Sequence, residues 1–205
     1  MARQGGRIVC VGVADIHPQR NEMWHKEVEI IVSKAGGPGT FDPIHFGHID
    51  IAERASRLFD ELIVAVFDKP LKNLLFSPQN RLDFARHSFV NHPKIKVMGY
   101  SGLTVEFCRS INAQVIVRGL RVFSDFEFEF RNALANHHLA PDVEIIAFIT
   151  NQEHTFLSSS TVREIAALGG DVNGMVPAHV AVALKNRFRE LGEGQQVVPQ
   201  TSLRD

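Results

Sequence analysis

Cysteine is nearly absent from this 205-residue chain, which holds only Cys10 and Cys108. The two are far apart in sequence and form no C-x-x-C pair, which argues against a disulfide framework or a zinc cluster. No apolar run approaches the ~20 residues that a membrane-spanning helix requires. Neither sign of charge is in excess: 22 Lys and Arg stand against 23 Asp and Glu, a formal net charge of −1. No basic field therefore points to a nucleic acid, and local basic residues have to be read one by one. No H-E-x-x-H zinc motif is present, and Gly99-Tyr100-Ser101-Gly102 misses the G-x-S-x-G spacing of a hydrolase nucleophile elbow. Repeats and low-complexity segments are also lacking. The opening Met1-Ala2-Arg3-Gln4-Gly5-Gly6 has no signal-peptide core, so the expected setting is a soluble protein of the cytoplasm.

What is present is enough apolar material for a real core: 44% hydrophobic residues against 22% charged, a balance that excludes a disordered chain. The most informative stretch is Gly39-Thr40-Phe41-Asp42-Pro43-Ile44-His45-Phe46-Gly47-His48. An apolar β-branched run, Val28 to Val32, precedes it. A helical pattern follows, with Ile49, Ala52, Ala55, Leu58 and Phe59 at steps of three and four. Strand, glycine-bearing loop and helix aim free backbone N–H groups at an anion, and two imidazoles at that mouth can add hydrogen bonds to phosphate oxygens. The same two histidines also suit ordinary surface or helix-cap positions.

From residue 38 onward strand and helix patterns alternate. Strands are expected at Leu62 to Phe67, Ile95 to Met98, Val115 to Val117 and Glu144 to Ile149. Helices are expected from Ser77-Pro78 (with Leu82, Ala85, Phe89 and Val90 on one face), over Leu103 to Ile111, Asp125 to Leu139, Ser160 to Leu168 and Val176 to Phe188. This alternation predicts a Rossmann-like α/β fold, a parallel five-stranded sheet with helices on both faces. Ligands of such sheets bind beyond the carboxyl ends of the strands, and the loops there carry the polar chemistry. One loop holds Lys69, Lys72 and Asn73; another holds Arg118-Gly119-Leu120-Arg121, whose guanidinium forks match phosphate. The apolar face of the next helix, Phe126, Phe130 and Leu134, reads as core, and Glu129 as facing either the site or solvent. A last loop runs from Thr150 through Ser158-Ser159-Ser160 to a helix start, with Thr161 and Glu164 at capping-box spacing.

Residues 1–37 read as an atypical N-terminal extension that supplies or replaces the first strand. Gly5 to Gly12 and His25 to Ile31 resemble a strand-loop-strand piece of zinc-type medium-chain alcohol dehydrogenases. That likeness has no G-x-G-x-x-G loop and no cysteine zinc ligands, so it implies no dehydrogenase chemistry. Residues 38–190 read as the catalytic domain and 191–205 as a flexible tail.

The blocks converge on one family. Gly39 to Pro43 with His45-Phe46-Gly47-His48 resembles the T/H-x-G-H signature of the nucleotidyltransferase α/β phosphodiesterase superfamily. Arg118 to Arg121, Asp125 to Glu129, Ser158 to Glu164, Gly169 to Val172 and Val176-Pro177 narrow the likeness to the phosphopantetheine adenylyltransferases, from about Pro38 to Phe188. The resemblance implies adenylyl transfer from ATP to 4′-phosphopantetheine, giving dephospho-coenzyme A and pyrophosphate with Mg²⁺, in a homo-oligomer that is commonly a hexamer. It implies catalytic roles for His48, Lys72 and Thr40. Thr40, Lys72, Thr104 and Arg118 would hold the acceptor. ATP would be held by Thr40, Phe41, His45, His48, Gly119, Leu120, Arg121, Glu129 and the loop His154, Thr155, Phe156, Leu157, Ser158, Ser159, Ser160. No metal ligand among the protein side chains is implied. The chain departs from the family at Lys34 to Gly37, where Gly37 replaces a bulky residue, and at Asn73, where a second lysine is common. Two alternatives stand beside this reading: a related nucleotidyltransferase with another acceptor, since base and acceptor choice rest on few residues, or a non-catalytic nucleotide-binding variant because of the altered N-terminus.

Overall fold

The computed structural model describes residues 29–33, 40–68 and 74–192. The dehydrogenase-like piece from Gly5 to Gly12, the departures at Lys34 to Gly37 and Asn73, Lys69, the candidate catalytic Lys72, and residues 193–205 lie outside them. Five parallel strands form one sheet: β1 (Glu29–Ser33), β2 (Glu61–Phe67), β3 (Ile95–Tyr100), β4 (Val115–Leu120) and β5 (Glu144–Ile149), in the order β3-β2-β1-β4-β5. Six helices accompany it: α1 (Phe46–Ser56), α2 (Pro78–Ser88), α3 (Thr104–Ser110), α4 (Phe123–Leu139), α5 (Ser159–Ala167) and α6 (Ala178–Gly192).

The strand order dictates where the helices go. Connections from β1 to β2 to β3 step one way across the sheet; those from β3 to β4 to β5 step the other way. Right-handed crossovers then put α1 and α2 on one face and α3 and α4 on the opposite one. The packing follows this rule. On β2, Leu62, Val64 and Val66 join a core cluster with Ile51, Ala52 and Ala55 of α1, Ala85 of α2, Val162 of α5, and Val180 and Leu184 of α6. Ala65 and Ile116 join a second cluster with Val105 and Cys108 of α3. Burying a Leu, Ile or Val side chain contributes about 1.5–3 kcal/mol, so the first cluster supplies most of the driving force. The continuous apolar run of β2 reflects cover on both faces.

Local signals explain several boundaries. Ser77 caps α2 by accepting the Asn80 N–H at 3.1 Å, with Pro78 in the first turn, where its missing N–H costs nothing. Four expectations need correction. β4 runs past Val117 through Arg118, Gly119 and Leu120, because Arg118 is flanked by Ser33 on one side and Ala147 on the other, and pairing between two neighbours overrides side-chain polarity. α6 extends through Gly192, so residues 191 and 192 close a helix and do not belong to a tail. Leu58 and Val90 lie beyond the ends of α1 and α2 and are exposed. Finally, Phe126, Phe130 and Leu134 are not core: each is more than half exposed, while α4 buries Asp125 and Glu129. Here ion pairing with the end of β4 fixes the helix's rotation.

Candidate functional site

The sheet reverses its direction of growth between β1 and β4, so the crevice beyond their carboxyl ends is the topological switch point, where open α/β sheets bind ligands. Three loops meet there.

The loop after β1 delivers residues 40–48. His45 is the N-cap of α1, with extended backbone (φ −140°), and His48 is the third helical residue. The His45 N–H donates to Nδ1 of His48 at 3.2 Å, and the His48 N–H donates to the His45 carbonyl at 2.9 Å, a reciprocal pairing that closes the first turn of α1. Since Nδ1 of His48 accepts, the neutral ring carries its proton on Nε2, as a donor. The two imidazoles stack with centroids 3.6 Å apart, and the Phe41 ring meets His48 edge-on at 4.9 Å. Phe41 is buried and holds a positive φ of 45°, strain that the surrounding packing must sustain. Glycine at position 47 has a steric reason: a Cβ there would lie 3.1 Å from the His45 ring and 3.6 Å from Cβ of His154. The cap and nucleotide readings of these histidines are therefore compatible.

The end of β4 supplies cations. Arg118 and Glu129 form an ion pair at 3.2 Å with both side chains nearly sealed from solvent. Burial pushes the Arg118 guanidinium down and the Glu129 carboxyl up, each against the attraction of the other. Gly119 points to the opposite face, where a Cβ would lie 2.3 Å from Cδ1 of Ile51, so the glycine lets α1 approach the strand. Arg121 grips Asp125 through Nε and Nη2 at 3.0 and 3.1 Å, and its backbone N–H donates to the same carboxylate at 3.1 Å. Burial works to raise the Asp125 carboxyl, but the hydrogen bonds from Arg121 outweigh it and hold the group below the usual range. Nη1 of Arg121 donates to the Leu157 carbonyl at 2.9 Å, tying β4 to the loop after β5.

That third loop runs through a short 3-10 turn, Gln152–His154, into α5. Ser158 caps α5 by accepting the Thr161 N–H at 3.0 Å, so the cap pair is Ser158 with Thr161 instead of Thr161 with Glu164. Ser159 is buried and its hydroxyl donates to the Pro43 carbonyl at 2.9 Å, joining this loop to the first one; Ser160 and Phe156 are exposed, and His154, Thr155 and Ser158 half-buried. Thr104 starts α3, after the carboxyl end of β3. Its hydroxyl shares a hydrogen bond of 3.0 Å with that of Tyr100, whose titration burial pushes up to about 12.

The crevice thus gathers a helix N-terminus and a histidine donor, with the carboxylate-paired guanidinium groups of Arg118 and Arg121 beside them, an arrangement suited to a polyphosphate. Residues 37–165 match the cytidylyltransferase-like family, which places the domain among the nucleotidyltransferases. A Vibrio parahaemolyticus crystal structure provisionally assigned as a nicotinate-nucleotide adenylyltransferase shares the fold, with a TM-score of 0.53 at 15% identity over 78% of this chain and 99% of that one. Sequence relatives are closer. Phosphopantetheine adenylyltransferases of Roseiflexus sp. (strain RS-1) and Roseiflexus castenholzii are 54% and 55% identical over 151 residues, 74% of this chain and 94% of each relative. That of Herpetosiphon aurantiacus is 51% identical over 152 residues, 74% of this chain and 92% of the relative. The chain belongs to the phosphopantetheine adenylyltransferase family.

Sequence reasoning assigned no role to Asp42, Arg81, Asp125 or Arg163, all of which organise the crevice. The i, i+4 spacing of Arg121 and Asp125 is a signal that could have found that pair. Arg81 sits in a polar helix, and no local signal marks it.

Proposed function

We infer that the chain is a nucleotidyltransferase that moves the adenylyl group of ATP onto 4′-phosphopantetheine, giving dephospho-coenzyme A and pyrophosphate in coenzyme A synthesis. The observation that carries this reading is identity above one half across 94% of the length of curated phosphopantetheine adenylyltransferases.

An acceptor phosphate is already ionised at neutral pH. Its oxygen attacks the α-phosphorus in line, the bond to the bridging oxygen breaks, and pyrophosphate leaves with the electron pair; no general base is required. The protein's task is alignment and stabilisation of charge. In our reading Nε2–H of His48 donates to the α-phosphate, with Thr40 beside it and Lys72 as a further cation. Thr104, Arg118 and Lys72 hold the acceptor, while Phe41, His45, Gly119, Leu120, Arg121, Glu129 and the loop from His154 to Ser160 hold ATP. Mg²⁺ would arrive on the triphosphate, coordinated by phosphate oxygens and water. Among the described residues, Asp42, Asp125 and Glu129 each face an arginine, and no group of three His, Cys, Asp or Glu could hold a metal ion.

The reading extends to a homo-oligomer, a hexamer by family likeness, working in the cytoplasm. Support for assembly comes from α4, where Phe123, Phe126, Phe130 and Leu134 line one exposed stripe. An apolar stripe of this kind suits a partner surface. Among the described residues no helix is long and apolar enough to cross a membrane.

The test is turnover of purified protein with ATP, Mg²⁺ and 4′-phosphopantetheine, with dephospho-coenzyme A followed by mass spectrometry. Product is expected, and His48→Ala should reduce kcat by about 10²–10³-fold, as loss of one donor to developing charge does. ATP binding by the wild type without product would overturn the reading.

A further inference from the structure

Among the described residues Arg81 is the largest fully buried side chain, at 0% exposure, although it lies on a helix otherwise poor in buried residues. Its guanidinium reaches the carboxyl edge of the sheet and meets three backbone carbonyls. Nη1 donates to Thr40 and to Phe67, both at 2.6 Å, and Nη2 donates to Asp68 at 3.1 Å. Asp42, also at 0% exposure, makes the complementary set of bonds. Its Oδ2 accepts the Leu75 N–H at 2.8 Å and its Oδ1 the Phe76 N–H at 3.0 Å, while Oδ2 also takes Nη1 of Arg163 at 2.6 Å.

The two networks interlock. Thr40 and Asp42 flank Phe41 in the same short turn, which leads into the two histidines. Phe67-Asp68 and Leu75-Phe76 are the chain ends on either side of residues 69–73, the sequence that contains Lys72. One bracket therefore ties the histidine turn to the exit of β2, and the other ties it to the segment leading into α2. A guanidinium suits the first task because its planar fork can serve several acceptors in fixed directions, which an ammonium cannot. Burial pushes the Arg81 guanidinium down, offset by the carboxylates of Asp42 and Asp68. The cost of sealing a charge in this place is compensated by acceptors from two different loops, an arrangement that simple packing of α2 does not require.

We propose that Arg81, together with Asp42, is a positioning residue for adenylyl transfer: the pair fixes the Thr40–His48 turn in register with both chain ends that flank Lys72. The inference rests on the adenylyl-transfer reading above, and wild-type turnover tests that reading separately.

The experiment compares wild type, Arg81→Lys, Arg81→Met and Asp42→Asn, with kcat expressed per folded molecule from circular dichroism and native mass spectrometry. Displacements near 1 Å cost about a hundredfold in rate, so Arg81→Met should lose about 10²-fold in kcat while KM for ATP changes less than about threefold. Arg81→Lys should recover part of that loss, and Asp42→Asn should fall between. A double variant of Arg81→Lys with Asp42→Asn should lose less than the product of the two single losses, because both act on one turn. Equal kcat per folded molecule in all variants would overturn the proposal and leave Arg81 a purely structural residue. If Arg81→Met does not fold, Arg81→Lys and Asp42→Asn carry the same comparison. Absence of turnover in the wild type would overturn the functional reading instead.

Discussion

Helices α1 and α4 each follow a central strand of the sheet, yet they are built in opposite senses. α1 buries Ile51, Ala52 and Ala55 beneath the switch point and brings its two histidines in with them. α4 buries two carboxylates, Asp125 and Glu129, against Arg121 and Arg118, and turns its phenylalanines outward. In α1 the hydrophobic effect sets the helix's orientation and the chemistry rides on it. In α4 charge pairing at the end of β4 sets the orientation, and the apolar residues take the remaining face. Two helices of similar hydrophobic content thus reach the same crevice by different forces.

That contrast can be tested by ordered substitutions. The largest effect is expected from Glu129→Ala, which removes the carboxylate opposite a buried guanidinium. Breaking such a pair costs about 3–5 kcal/mol, measurable as a lower midpoint in urea unfolding. If stability is unchanged, charge pairing does not orient α4. Next comes Ile51→Ala in α1, where truncation of a buried aliphatic costs about 2–5 kcal/mol; a loss below 1 kcal/mol would undo the description of α1 as a core helix.

Asp125 sharpens the comparison through pH. Its folded titration is held below the ordinary aspartate value near 3.8. The stability it contributes is therefore fully present above that value and fades as pH falls through the lower folded one. Asp125→Asn should be less stable than wild type at pH 7, and the gap should close below about pH 4. A gap independent of pH would mean that packing, not ionisation, is the source.

The smallest intrinsic effect is expected at the exposed face of α4. Phe126→Ser should change the stability of a dilute single chain by no more than about 0.5 kcal/mol. At higher concentration it should matter more, because assembly stabilises by mass action. Native mass spectrometry of wild type and Phe126→Glu would register the assembly directly, and identical distributions would rule out this stripe as the contact.

Much of the fold was legible in the local pattern. Periods of two and of three to four, Pro78 behind Ser77, and the glycine-bearing turn before α1 locate most strands and helices, since backbone geometry and side-chain alternation are local properties. The motif residues 39–48, the arginines at and just past the end of β4 and the serines at the start of α5 were equally visible, and the blocks sufficed to name the family. What tertiary structure alone decided is how those blocks are held. The outward turn of the α4 phenylalanines depends on ion pairs with another element. Extension of β4 through Arg118 depends on Ser33 and Ala147 at its sides. Arg81 became a central residue only because α2 packs where its guanidinium reaches Thr40, Phe67 and Asp68, the first lying 41 residues away in the chain. Sequence periodicity reports which face of an element is apolar; the partner of a buried charge is set by chain folding over long separations, and no local pattern encodes it.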